Sequence, residues 1–187
     1  MRLENKNAII TGGAQGMGGT ITETMAKEGC NLVLVARTLE PIEELAEKIR
    51  GMGRQALAIA CDTTEEDQVA NMAAEAKEFF GGRIDILVNA MGATGPIETP
   101  VWEIGSQDFM DLLRKNVIGA FLPAKHIIPA MIEKHYGKIV NIGGCSGMRG
   151  YRYRAGYSSS KWAVRGLTRT SAIDCGEHNI NVNAIMP

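Results

Sequence analysis

The strongest constraint on this chain is an alternation. Short apolar runs recur along its whole length: "NAIITG", "NLVLVAR", "QALAIACD", "IDILVNA", "KIVNIG" and "INVNAIMP". Between them lie longer stretches with apolar residues at helical spacing. These are Met17 to Lys27, "EPIEELAEKIRGM", "EEDQVANMAAEAKEFF", a long region from about Gln107 to His135, and Lys161 to Cys175. The short runs are rich in β-branched residues and show no clean polar alternation, as suits strands buried on both faces. Strands alternating with helices make βαβ units, and right-handed crossovers then give a mostly parallel sheet with helices on both faces. The expectation is one α/β domain over residues 1–187, a doubly wound Rossmann-like sheet of about six strands. Pro123 and Pro129 interrupt the long helical region and predict a kink there.

Composition narrows the function classes. The formal net charge is −1 and no basic patch stands out, so neither nucleic acid nor an anionic membrane is an expected partner. No apolar run approaches the ~18 residues of a membrane-spanning helix, and the first residues hold no signal-like apolar stretch. Cys30, Cys61, Cys145 and Cys175 are widely spaced, which reads as reduced thiols in a cytoplasmic protein. His126, His135 and His178 are too scattered for a metal site.

Two motifs carry chemistry. "TGGAQGMGG", Thr11 to Gly19, falls where the first strand meets the first helix. Glycines there let the backbone turn tightly and approach a pyrophosphate, and the helix N-terminus offers free N–H groups. Gly12, Gly16 and Gly18, with Gln15 and Met17 between them, are the candidate cofactor turn. The end of the second strand sets the cofactor type. An acid there would bind the adenosine ribose hydroxyls, but the chain has Ala36 and Arg37. A guanidinium can pair with a 2′-phosphate, so NADP is favoured and NAD stays possible; Arg37 can also be a solvated surface residue. The second motif is Tyr157 with Lys161, four residues apart on one helix face. An ammonium beside a phenol favours the phenolate and makes tyrosine a usable acid/base near neutral pH.

Together these residues make the chain resemble the short-chain dehydrogenase/reductase family over essentially its whole length. The likeness rests on TGxxxGxG at Thr11–Gly18, Asp62 after the third strand, "VNAMG" after the fourth, "KNVIGAF" in the long helix, "GKIVNI", "YSSSK" and "NVNAIMP". It implies strand order 3-2-1-4-5-6, NAD(P) binding, and hydride transfer between nicotinamide and a carbonyl or secondary alcohol. It implies that Tyr157 is the general acid/base, that Lys161 tunes it and holds the nicotinamide ribose, and that Asn116 supports a proton-relay water. Asp62 would contact the adenine, Asn89 would stabilise the central strands, and Gly92 would line the cofactor site. It also implies a homodimer or homotetramer built on the long helix and the helix after Tyr157. Phe109, Leu112, Ile118, Phe121, Trp162, Val164 and Leu167 are the candidate apolar contacts.

The chain departs from the family pattern in three places. Ala90 and Met91 replace the middle of the usual NNAG, which predicts altered packing under the cofactor. The family's catalytic serine lies thirteen residues before the tyrosine, and here that position is Gly144. Ser146 can replace it only if the backbone folds back, because residues two apart on a strand stand about 6.6 Å apart. Tyr151 and Tyr153 are other possible donors. Third, the chain stops at Pro187, before the family's substrate loop and seventh strand, which reads as a fragment. The expected activity is carbonyl reduction or alcohol oxidation. The alternative is a weakly active member serving as a structural or regulatory subunit.

Overall fold

A computed structural model describes all residues, Met1–Pro187. Six strands, β1 (Asn7–Thr11), β2 (Asn31–Ala36), β3 (Ala56–Ala60), β4 (Ile86–Asn89), β5 (Gly137–Ile142) and β6 (Ile180–Ile185), form one sheet. Its order is β3-β2-β1-β4-β5-β6 and every pairing is parallel. The helices are α1 (Gly16–Lys27), α2 (Leu39–Gly51), α3 (Glu66–Phe79), α4 (Ser106–Leu113), α5 (Gly119–Glu133) and α6 (Ala155–Asp174). The fold class, order and strand count are those the sequence predicts.

The lack of polar alternation has its cause in the layers. Successive residues of a strand point to opposite faces. Ile9, Val33 and Val35 meet α3 and α5 through Val69, Met72, Ile127 and Met131. Their neighbours Ala8, Ile10, Leu32 and Leu34 meet α1 and α2 through Ala26, Ile42, Ala46 and Ile49. Both faces are dry, so both must be apolar. At about 25 cal/mol per Å², each buried Leu or Ile contributes roughly 1.5–3 kcal/mol.

Two expectations about helices change. The irregularity of the long helical region does not fall at the prolines: α5 runs unbroken through Pro123 and Pro129. The widened π turn is at Arg114–Ile118, between α4 and α5, and holds the buried Asn116. Such turns often mark functional sites because they re-aim one side chain. The last helix also starts earlier than its apolar spacing suggests, at Ala155, so Tyr157 lies inside its first turn. Of the apolar residues expected to mediate assembly, Leu112 and Val164 face inward instead. Leu112 fills the space that Gly95 and Gly156 leave open. Ile118, Phe121 and Trp162 remain exposed.

Candidate functional site

Strand order reverses between β1 and β4, and a cleft opens beyond their carboxyl ends, the usual ligand position in an open parallel sheet. The cavity there has a volume of about 720 Å³. Its wall brings together Gly12, Gln15, Arg37, Asp62 and Gly92, which the sequence places far apart. Gly16, Met17 and Gly18 belong to the adjoining turn and start of α1 without lining the cavity.

Two of the glycines are required by contact. Gly12 has φ 68°, and a Cβ on it would lie 2.9 Å from the Met91 backbone. A Cβ on Gly18 would lie 2.0 Å from the Gly12 carbonyl oxygen. The turn is thus clamped between α1 and the end of β4, with the N-terminus of α1 directed to the cleft. Free N–H groups at that end and a narrow backbone approach suit a pyrophosphate.

Further along the cavity, Asp62 accepts hydrogen bonds from the Thr64 N–H (2.9 Å) and hydroxyl (2.8 Å). Burial pushes its carboxyl up, but these bonds, with Arg37 and Arg114 nearby, outweigh burial and hold it below the usual carboxylate range. Arg37 forms no ion pair of its own. Thr63, Arg114 and Lys115 line the same cavity and were not foreseen from sequence. Arg114 and Lys115 directly precede Asn116, the only signal that could have found them. The Thr63 hydroxyl is buried without a hydrogen-bond partner, an unspent polar group in this wall. These features fit a nicotinamide dinucleotide: a glycine turn at a helix end, an oriented carboxylate, and a cation beyond β2. Asn89 lies beneath the cavity. It donates to Asn141 Oδ1 (2.9 Å) and to the Ala120 carbonyl (3.2 Å), tying β4 to β5 and α5.

Met91 shows how the altered NNAG segment packs. Its methyl group occupies the space over Gly119, where a Cβ would lie 2.3 Å from Met91 Cε. The larger side chain is accommodated because the facing helix supplies a glycine.

Tyr157 and Lys161 lie on one face of α6, as their spacing requires. Lys161 is buried and donates to the Ile142 carbonyl at 3.1 Å. Burial pushes its ammonium down to about 8. The expected lowering of the Tyr157 phenol is not what the structure shows. Burial pushes the phenol up, the Cys145 thiol adds to that, and only Arg154 opposes it. The physical reason is distance: Lys161 Nζ sits 5.6 Å from the Tyr157 ring centroid, held by Ile142 rather than by the phenol oxygen.

Asn116 accepts from the Ala93 N–H (2.7 Å) and donates to the Ala93 carbonyl (2.9 Å) and to Ser160 Oγ (2.8 Å). Ser160, fully buried, passes the chain on to the Tyr157 carbonyl at 2.7 Å. Ser160 was missed from sequence. One position before Lys161, it lies about 100° round the helix from it, on a side that only the packing of the π turn against α6 makes useful.

Gly144 stands against the phenol. A Cβ there would lie 3.0 Å from Tyr157 Oη. The backbone does fold back after Gly144, through the short turn Cys145–Gly147, and buries Ser146. No hydrogen bond joins Ser146 to Tyr157 or Lys161, so the fold-back does not carry its hydroxyl onto the phenol.

A dinucleotide cleft at the sheet's switch point, with a phenol and a buried ammonium at its end, defines a nicotinamide-dependent oxidoreductase. The family model described as short chain dehydrogenase matches residues 6–187, and the chain belongs to that family. Trans-4-hydroxycyclohexanecarboxylate dehydrogenase of Sinomonas cyclohexanicum is 35% identical, the match covering 100% of this chain and 73% of that protein. Among solved structures, NAD+-bound xylitol dehydrogenase has a TM-score of 0.96 at 34% identity, covering 100% of this chain and 71% of its own. An F189W actinorhodin polyketide ketoreductase with NADPH has a TM-score of 0.91 at 30% identity, covering 97% and 69%. Nicotinamide binding is therefore common ground, and the two neighbours hold different forms of it.

Proposed function

We propose that the protein interconverts a carbonyl and a secondary alcohol, with Tyr157 as the proton donor in reduction and acceptor in oxidation. The observation that carries this reading is the Tyr157 phenol set against Gly144, whose Cβ would lie 3.0 Å from it, with Lys161 buried nearby. NAD(P)(H), when bound, supplies or accepts the hydride. Gly12, Gln15, Gly16, Met17 and Gly18 hold the pyrophosphate end. Asp62 orients the adenine, Gly92 lines the site, and Asn89 stabilises its floor. Arg37 receives the 2′-phosphate, so NADPH is preferred over NADH. Lys161 binds the nicotinamide ribose, while Asn116 and Ser160 brace the first turn of α6 through the Tyr157 backbone carbonyl.

A substrate oxygen meets the phenol beside Gly144. Ser146, buried in the following turn, is the next hydroxyl available to hold that oxygen. The relatives' names span a cyclic hydroxy acid, a sugar alcohol and a polyketide, so likeness supports the reaction class and leaves the substrate to the site itself. A merely structural subunit is the weaker reading, because Tyr157, a buried Lys161 and a buried Asn116 are all kept around the end of the cleft. The three buried thiols suit a reducing compartment, and no helix is long and apolar enough to cross a membrane. We place the protein in the cytoplasm as a homo-oligomer.

The test is Tyr157→Phe in the full chain, assayed by NADPH and NADH oxidation against a panel of carbonyls. Turnover falls at least about a thousandfold while cofactor titration is little changed. Retained turnover would remove Tyr157 from the chemistry. In the same titrations Arg37→Asp weakens NADPH and strengthens NADH, because phosphate repulsion replaces pairing. Unchanged relative affinity would make Arg37 a surface residue.

A further inference from the structure

We infer that the substrate is an organic acid: a carbonyl or secondary alcohol compound with an apolar, ring-sized body and a carboxylate held by Arg152 and Arg154. This rests on the reading of Tyr157 above and deepens it. A second cavity, of about 330 Å³, is lined by Pro100, Val101, Trp102, Tyr151, Arg152, Tyr153 and Ala155. Ala155 opens the helix that carries Tyr157 one half-turn later. Aromatic rings and a proline on facing loops make a slot for a flat apolar body. Val101 and Trp102, side by side on this loop, are 66% and 80% exposed and form a contiguous apolar surface.

The segment that carries the slot's tyrosines is basic. Between Glu133 and Asp174 the chain has eight lysines and arginines and no carboxylate, although its net charge is −1. Some of these cations are engaged. Arg149 donates to the Tyr151 hydroxyl at 2.7 Å, and Arg165 donates to the Gly147 carbonyl at 3.5 Å. The Arg152 guanidinium only stacks on Tyr153, at 4.5 Å, and neither the Arg152 nor the Arg154 guanidinium has a hydrogen-bond or ion-pair partner. The facing loop brings Glu98 and Glu103, and neither forms an ion pair with them. A free guanidinium fork in the wall of the aromatic slot, Arg152, with Arg154 two residues on towards Tyr157, matches a carboxylate, which arginine binds in bidentate fashion. Tyr153, between them, holds φ 60°, a conformation bulky residues rarely adopt and one found at ligand clamps. Arg154 also pulls on the Tyr157 phenol, so the anion would sit within electrostatic reach of the proton donor.

The test compares two probes of equal shape, 4-acetylbenzoate and 4-acetylbenzamide, on the full chain with NADPH and NADH. The expected kcat/KM ratio of acid to amide is about tenfold or more, expressed mainly in KM, the size of one charge-assisted hydrogen bond. Arg152→Gln and Arg154→Gln each collapse that ratio, while Arg169→Gln, far along α6, leaves it. Equal kcat/KM for the two probes, or a ratio insensitive to both arginines, overturns the inference while leaving the carbonyl chemistry standing. Trp102 gives a readout that needs no turnover. In Trp162→Phe, which leaves one tryptophan, quenching by the acid at lower concentration than by the amide keeps this inference even where neither probe is reduced, an outcome that would sink the reaction instead. A still larger arginine-dependent preference for acetoacetyl-coenzyme A would assign the anion to a phosphate and overturn the carboxylate.

Discussion

At the scale of single residues, Gly144 and Lys161 decide the chemistry. Position 144 faces the phenol; an added Cβ needs Tyr157 to give by a few tenths of an ångström and the backbone to leave φ 158°, a value side chains rarely adopt. Gly144→Ser therefore places a hydroxyl donor beside the reacting oxygen. A lost oxyanion donor typically costs 10²–10³-fold, so we expect the gain in turnover to be about tenfold or more. A loss in steady-state assays, with an unchanged urea melt, would show that the glycine itself is needed beside the phenol. Lys161 gives a stability prediction with a definite sign. Its folded value, about 8, lies below the ordinary lysine value of 10.5. The unfolded chain thus binds more protons between pH 8 and 10.5, and this group's penalty is full below pH 8 and relieved as pH rises through that window. Lys161→Met should stabilise the fold at pH 7 by about 1–2 kcal/mol, after the lost bond to Ile142, and by much less at pH 10.5. Urea melts at the two pH values check it. Equal effects would mean the ammonium is not destabilised by burial.

At the scale of elements, the decisive joints are the turn into α1 and the π turn against α6. Gly18 touches the Gly12 carbonyl so closely that a methyl group would lie 2.0 Å from it. Both sides are backbone, so neither can step aside cheaply. Gly18→Ala is expected to cost about 1–3 kcal/mol in a thermal or urea melt, despite alanine's better helix propensity, and to weaken cofactor binding. A neutral result would mean that the turn relaxes freely. The glycine spacing, the strand-turn-helix order and the Tyr-x-x-x-Lys face were all legible in sequence, because each is a local rule. The π turn was not. Its widened ring follows from what Asn116 reaches, the Ala93 backbone and Ser160, which come from two other segments.

At the scale of the whole molecule, the exposed apolar residues on the helices around the site are what carries the assembly proposal. Ile118, Phe121 and Trp162 are 39%, 40% and 47% exposed, on the π turn, α5 and α6. Scattered apolar residues need no explanation, but these lie on adjoining elements. Light scattering of the full chain at micromolar concentration should give a dimer or tetramer, and Phe121→Glu should shift it towards monomer. A monomer for the unaltered chain would remove the assembly proposal. The sequence overstated this surface, because Leu112 and Val164 have helical spacing compatible with either face and only packing turned them inward.

The residues alone determined the architecture, because a parallel sheet buried on both faces needs apolar strands of one length alternating with helices, and that pattern survives in any single stretch of chain. They also determined the two motifs, since a tight turn needs glycine and an i, i+4 pair shares a helix face. Only the tertiary structure decided which groups meet. It set Gly144 rather than Ser146 against the phenol, hung Lys161 on Ile142 away from the phenol oxygen, and joined Arg37 to Asp62 along one cavity. These are contacts between segments distant in sequence, whose energies depend on distance and burial, and neither is written in local spacing.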